Sequence, residues 1–208
     1  MELEDWMEFY REILSDFNFS KEEDERAAVI MYSLAREKLM DSLILDSRIR
    51  DKDVIVIGSA LKEKDFEVIE NFEGVRITAG KSIYPLRKIL PDFLPDIHVT
   101  DLEEEYELLA DLQYRNCILV LHAHGDNIDR IYSLIPRLKF FVGTTQSIPF
   151  DKLYNFGGFT DGDRAACLAK HFGAKSITLV GFDFERAEGI KKKKLIWAKK
   201  ILEFEKVI

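Results

Sequence analysis

The sequence predicts an α/β fold, a three-layer sandwich around a mostly parallel sheet of about six strands, and three observations carry that expectation. From Asp53 onward, short β-rich runs alternate with helical stretches. Some of those runs, such as Val54–Ile57 and Ile118–Leu121, are apolar throughout rather than alternating, as in strands buried on both faces by helices. The 47% hydrophobic share of 208 residues suffices for the large core such layers need.

The first 50 residues contain no Gly or Pro and read as an N-terminal helical region, residues 1–50, packed on an α/β domain of residues 51–208. A first helix is expected from Leu3 to Leu14. Ser20 to Glu23 has the S-x-x-E form of a capping box, in which hydroxyl and carboxylate each satisfy a free backbone N–H. After it, Ala28, Met31, Ala35, Leu39 and Leu43 recur at steps of three and four, which places them on one face of a single long helix. The expected strands are Val54–Ile57, Val75–Thr78, Ile97–Val99, Ile118–His122, Phe140–Val142 and Ile177–Val180. Helices are expected at Lys62–Asn71, Leu102–Asp111, Asp129–Pro136 and Asp163–Phe172, and a last one after Gly189 carries Leu195, Ala198, Ile201 and Leu202 beside a run of lysines.

Composition excludes several classes of function. Thirty basic against 38 acidic side chains give a formal charge of −8, whereas binding a nucleic-acid backbone calls for a basic face. Four acids and no base in the first ten residues are the reverse of an export signal. Apolar runs such as Cys117 to Leu121 are far too short to span a membrane. The two cysteines, Cys117 and Cys167, form neither a framework nor a zinc site. These features point to a cytoplasmic protein with small-molecule partners, and leave open whether it forms a homo-oligomer.

Acids gather where an open α/β sheet binds its ligands, at the carboxyl ends of the strands. Ile97–Val99 runs into Thr100-Asp101-Leu102-Glu103. Ile118–Leu121 runs into His122-Ala123-His124-Gly125-Asp126-Asn127, and Ile177–Val180 into Gly181-Phe182-Asp183. Gly157-Gly158-Phe159-Thr160-Asp161-Gly162-Asp163-Arg164 adds two aspartates beside glycines that let backbone approach a ligand. Carboxylates at this density suit Mg2+ bound with a nucleotide. Thr100-x-x-Glu103 and Thr160-x-x-Asp163 also have the form of capping boxes, and Asp183 that of a turn residue. His122-x-His124 could supply two ligands to a metal-dependent hydrolase, a different class. Ala79-Gly80-Lys81-Ser82 resembles the end of a P-loop, but Gly74 lies one position too early for that motif.

Taken in order, Pro95–Leu102, His122–Asn127, Phe156–Ala165 and Gly181–Phe184 resemble the archaeal 6-hydroxymethyl-7,8-dihydropterin diphosphokinase family, similar in its core to the thiamin diphosphokinase catalytic domain. The resemblance runs from about Asp53 to the terminal helix. It implies Mg2+-dependent transfer of diphosphate from ATP to the pterin hydroxymethyl group, with release of AMP, in methanopterin or folate-type cofactor synthesis. Where relatives carry an Ala-Asp-Gly-like turn, this chain has Ala79-Gly80-Lys81, one acid fewer. A noncatalytic relative that binds nucleotide or pterin is the alternative that this difference keeps open.

On this reading Asp101, Asp126 and Asp163 are catalytic, and Asp101, Glu103, Asp126, Asp161 and Asp163 hold metal. Gly58, Ser59, Arg164 and Lys194 meet the phosphates of ATP. His124, Asn127 and Thr160 contact the pterin substrate.

Overall fold

The computed structural model describes residues 1–208. Helices α1 (Leu3–Phe17), α2 (Lys21–Ala35) and α3 (Leu43–Ile49) precede strand β1 (Asp53–Ile57). Then come α4 (Glu63–Glu70), β2 (Val75–Ala79), α5 (Ile83–Ile89), β3 (Ile97–Thr100), α6 (Tyr106–Tyr114) and β4 (Ile118–Ala123). The chain continues through α7 (Ile128–Leu134), β5 (Val142–Thr145), β6 (Leu153–Tyr154), α8 (Asp161–His171), β7 (Ser176–Val180) and α9 (Gly189–Phe204). No helix is long and apolar enough to cross a membrane.

All seven strands are parallel, in the order β6-β5-β4-β3-β2-β1-β7. The uniformly apolar strands follow from burial on both sides. Ile55, Ile57, Leu119 and Leu121 face a core shared with α2, α4, α5, α6 and α7, while Val54, Val56, Ile77 and Val120 face one shared with α3, α8 and α9. Helix α1 adds a further layer, Trp6, Tyr10 and Ile13 packing on Phe159, Cys167, Trp197 and Ile201. The sheet grows from β1 in one direction as far as β6, and β7 then returns to the other side of β1. That reversal makes a crevice between β1 and β7 at their carboxyl ends, the place where such sheets admit ligands.

The departures from expectation have local causes. The long helix stops at Ala35, because the backbone leaves it to pair with the sheet: Met40 N–H donates to the Phe141 carbonyl (2.8 Å) and Phe141 N–H to that of Lys38 (3.1 Å). Leu43 consequently opens a new helix and is exposed rather than part of the apolar stripe. The same pairing uses Phe141 before β5, so that strand lies further along the chain than Phe140–Val142. Sheet order adds the two-residue β6 at the edge, and α5 forms despite Pro85, which a first helical turn accommodates. Helix α6 starts late, at Tyr106, because the Thr100 hydroxyl accepts from Leu102 N–H (2.9 Å) and donates to the buried Glu104 carboxylate. Thr100-x-x-Glu103 is therefore not a capping box.

Candidate active site

A cleft of about 610 Å³ runs along the carboxyl edge of the sheet. Asp101, which follows β3, and Asp161, which opens α8, stand at its centre with Glu103, Lys81 and Arg164. Gly58, Ser59, Gly181, Phe182, Arg186 and Lys191 line the end at the β1–β7 crevice. Phe19, Asp24, His124, Asp126, Gln146 and Phe159 line the other.

The two central aspartates carry opposite perturbations. Burial and the negative charge of Asp101 push the Asp161 carboxyl well above the usual carboxylate range, against the nearby Arg164 guanidinium. Burial acts on Asp101 too, but contact with His124 (Nε2 to Oδ2, 3.4 Å), with Arg164 and Lys194 beyond, outweighs it and holds that group low. The Asp101 Oδ1 atom is buried with no hydrogen-bond partner. Backbone comes close here as well: Gly80 has φ +50°, and a β-carbon on it would lie 2.6 Å from Asp161 Oδ2. Two facing carboxylates, one with an orphaned oxygen, are a donor set that fits a divalent cation. No preassembled group of three or more His, Cys, Asp or Glu side chains surrounds them. Mg2+ needs no such cage, since it is commonly held by one or two carboxylates with water and substrate phosphate.

The structure revises several roles read from the sequence. Asp163 is fully buried, its Oδ2 accepting from Phe159 N–H (2.6 Å) and its Oδ1 from Thr160 N–H (2.8 Å) and the Thr160 hydroxyl. Those bonds make Asp163 the capping acid at the start of α8, and, fully buried, it does not line the cleft, whereas Thr160, whose hydroxyl donates to it, does. Glu103 pairs with Lys81 (2.7 Å) at the exposed rim. Asn127 donates to the carbonyls of Asp101 and His122 (both 2.7 Å) and accepts from His124 N–H, which ties the β3 and β4 ends together. Gly58 N–H donates to Val180 (2.8 Å), so of the pair only Ser59 remains a candidate to offer its N–H there. Arg164 is nearly buried, one amino group on Asp161 Oδ1 (2.9 Å) and the other on the Phe159 carbonyl (3.1 Å). Asp126 is exposed at the cleft, and the half-buried Asp183 accepts two N–H groups of its own turn.

His122 and His124 do not act as a pair. His122 is buried, with Nδ1 on Thr144 Oγ1 (3.0 Å) and Nε2 on Gln146 Oε1 (2.9 Å). Both its nitrogens are engaged within the protein, and only His124 of the two lines the cleft. Burial, then the charge of Arg164, depresses the His122 pKa well below the usual histidine value and keeps that ring neutral. Sequence reading missed Phe19, Asp24 and Gln146. Asp24 looked like an ordinary first-turn acid of α2, yet its carboxylate accepts from Gly125 N–H, 101 residues away (2.7 Å), and from the Tyr10 hydroxyl (2.6 Å). The signal at Gln146 was rarity, as Gln113 is the only other glutamine.

The rim pair supplies a direct check on Glu103. Glu103→Gln should change kcat/KM by less than about fivefold, because an exposed ion pair contributes about 1 kcal/mol or less. A loss of several hundredfold in steady-state assays would return Glu103 to the reacting centre.

An all-parallel sheet with an acid-lined groove across its carboxyl edge defines the class, an α/β enzyme with its reaction site at the strand ends. The family model described as 6-hydroxymethylpterin diphosphokinase MptE-like matches residues 31–189. A Pyrococcus furiosus protein named 6-hydroxymethyl-7,8-dihydropterin pyrophosphokinase is 36% identical, the match covering 99% of this chain and 95% of that one. Proteins of the same name from Methanothermobacter thermautotrophicus (38%; 88% of this chain, 79% of that one) and Methanocaldococcus jannaschii (34%; 88% and 80%) are also similar. The chain belongs to the MptE-like 6-hydroxymethylpterin diphosphokinase family.

Proposed function

We propose that this protein transfers the terminal diphosphate of ATP to the hydroxymethyl group of 6-hydroxymethyl-7,8-dihydropterin, releasing AMP, with Mg2+ as the required ion. The observation that carries the reading is the Asp101–Asp161 pair beside Arg164 at the centre of the cleft, in a chain of this family. Asp101 and Asp161 would hold the ion, with Asp126 within the same cleft. When bound, Mg2+ supplies positive charge against the phosphates, in a chain whose own formal charge is −8.

The reaction is mainly positioning and charge neutralisation. The hydroxymethyl oxygen forms a bond to the β-phosphorus, and the bond from that phosphorus to the oxygen bridging it to the α-phosphorus breaks as AMP departs. Asp126 orients the hydroxyl and takes its proton, which then passes to solvent. Lys194 meets phosphate oxygens from the side of α9. Arg164 keeps Asp161 in place and adds a fixed positive charge beneath the phosphates. Ser59 offers a backbone N–H at the β1–β7 end, where the nucleotide enters. A cytoplasmic setting goes with this chemistry, as both cysteines are free thiols.

Incubation with Mg–ATP and the dihydropterin, followed by chromatography, should give AMP and pterin diphosphate in a one-to-one ratio. EDTA should stop the reaction and excess Mg2+ should restore it. ATP that binds but survives would overturn the reading and leave a nucleotide-binding protein. Thiamin in a parallel tube should yield no AMP.

A further inference from the structure

We propose that the β4–β5 end of the cleft, closed by the N-terminal helices, is the seat of the pterin ring, with Phe19 and Phe159 as its aromatic wall and Gln146 and Asp24 reading its polar edge. This rests on the diphosphotransferase reading above and assigns the acceptor half of that same site. Three observations converge on it.

The first is Gln146. It is only 5% exposed, lines the cleft, and its side-chain NH2 has no partner in the protein. Its other amide atom meets His122: Oε1 can only accept, so His122 Nε2 carries the ring hydrogen, and the Thr144 hydroxyl lies between His122 Nδ1 (3.0 Å) and the Leu121 carbonyl (3.3 Å). The carboxamide is thereby oriented with its NH2 on the cleft side. Trp6 and Asn155 bind the Gln146 backbone carbonyl (2.8 and 3.1 Å) and hold the residue from behind. With no partner in the protein, that NH2 is open to a ligand that brings acceptors into the cleft.

The second is Asp24, which is 6% exposed, lines the same end and keeps its position through Tyr10 and Gly125. Each of its oxygens already accepts one hydrogen bond and has a second lone pair. A 2-amino-4-oxo ring presents adjacent N–H and NH2 donors to a carboxylate and a carbonyl acceptor to an amide. Adenine offers its amino group flanked by ring nitrogens that would face the carboxylate lone pair to lone pair. The donors and acceptors thus match the pterin and mismatch the base of ATP.

The third is the wall. Phe17, Phe19 and Phe159 pack on one another with centroids 5.2–6.5 Å apart, and Phe19 and Phe159 reach the cleft. Lys194 lies 5.9 and 5.8 Å from those two rings, at the boundary between this apolar end and the charged centre. Phe19 and Asp24 come from the α1–α2 corner, so the helical region ahead of the sheet supplies part of the site.

The test uses the full chain with two variants and two readouts. Phe19 is partly exposed, so Phe19→Ala should fold; Gln146→Glu keeps shape while replacing donors with acceptors. Each should raise the KM for the dihydropterin by about tenfold or more while the KM for ATP stays within about twofold, as expected for loss of one stacking or hydrogen-bonding contact. Fluorescence titration with oxidised 6-hydroxymethylpterin, in the absence of ATP, should show the same weakening. If wild-type protein turns over and both variants keep normal pterin affinity, or if the KM for ATP rises instead, the ring lies elsewhere and this assignment falls while the diphosphotransferase stands. If wild-type protein neither quenches the pterin nor consumes ATP with it, both fall.

Discussion

Asp161→Asn should abolish turnover, by about 10³-fold in kcat, while leaving the metal-free protein as stable as the wild type or more so. The two effects separate because the charge is costly to the fold. Burial and the facing Asp101 disfavour the Asp161 carboxylate, so at neutral pH an amide of the same shape removes like-charge repulsion. Arg164 keeps an oxygen to bond in the variant, since Nη1 contacts Oδ1 at 2.9 Å. Saturating Mg2+ should raise the Tm of the wild type and not of the variant, because a cation bound only by the folded state stabilises it. A variant with unimpaired kcat, or an equal Tm response to Mg2+ in both proteins, would remove Asp161 from the reacting centre.

Asp163→Ala should act in the opposite manner, through stability. Its carboxylate accepts two buried backbone N–H groups and one hydroxyl at the start of α8, and alanine leaves those donors unpaired. Loss of the cap and the orphaned groups should cost about 3 kcal/mol, or a fall of about 10 °C in Tm for a chain of this length. Activity per folded molecule, measured well below the transition, should fall only as far as Arg164 and Asp161 shift with the helix start. Asp163→Asn should also destabilise, since its NH2 group would meet a backbone N–H at 2.6 or 2.8 Å. Full stability with complete loss of Mg2+ response would instead make Asp163 a ligand.

These two aspartates mark where sequence reading reaches its limit. Spacing placed both at a strand-to-helix junction and gave both a metal role, and only the direction of the side chains separates a capping acid from one that faces ligand. The parallel layers were legible because β1 and β4 are apolar on both faces over Val54–Ile57 and Ile118–Leu121, a pattern that burial on both sides imposes. The break after Ala35 was not, since Leu39 continues the helical spacing while its backbone neighbours pair with Phe141, a partner 102 positions away. Asp101 and Asp126 were found from their place after strands. Asp24 and Gln146 escaped because nothing local distinguishes an acid in a first helical turn, or a glutamine past a strand, from its ordinary surroundings. Their contacts to Gly125 and His122 exist only once distant segments have met.

The return of β7 to β1 also governs when the site can exist. Ser176 on β7 meets Asp53 on β1 across 123 residues, so the crevice at that end needs the closure of a very long loop. Pairing of that kind forms late and slowly, after the local strand–helix–strand units have condensed. During synthesis, β1 to β6 emerge first and leave one side of β1 bare, an unpaired edge until β7 docks. The groove therefore closes as one of the last folding events, and an unfinished chain has most of the sheet without the β1–β7 end of its cleft.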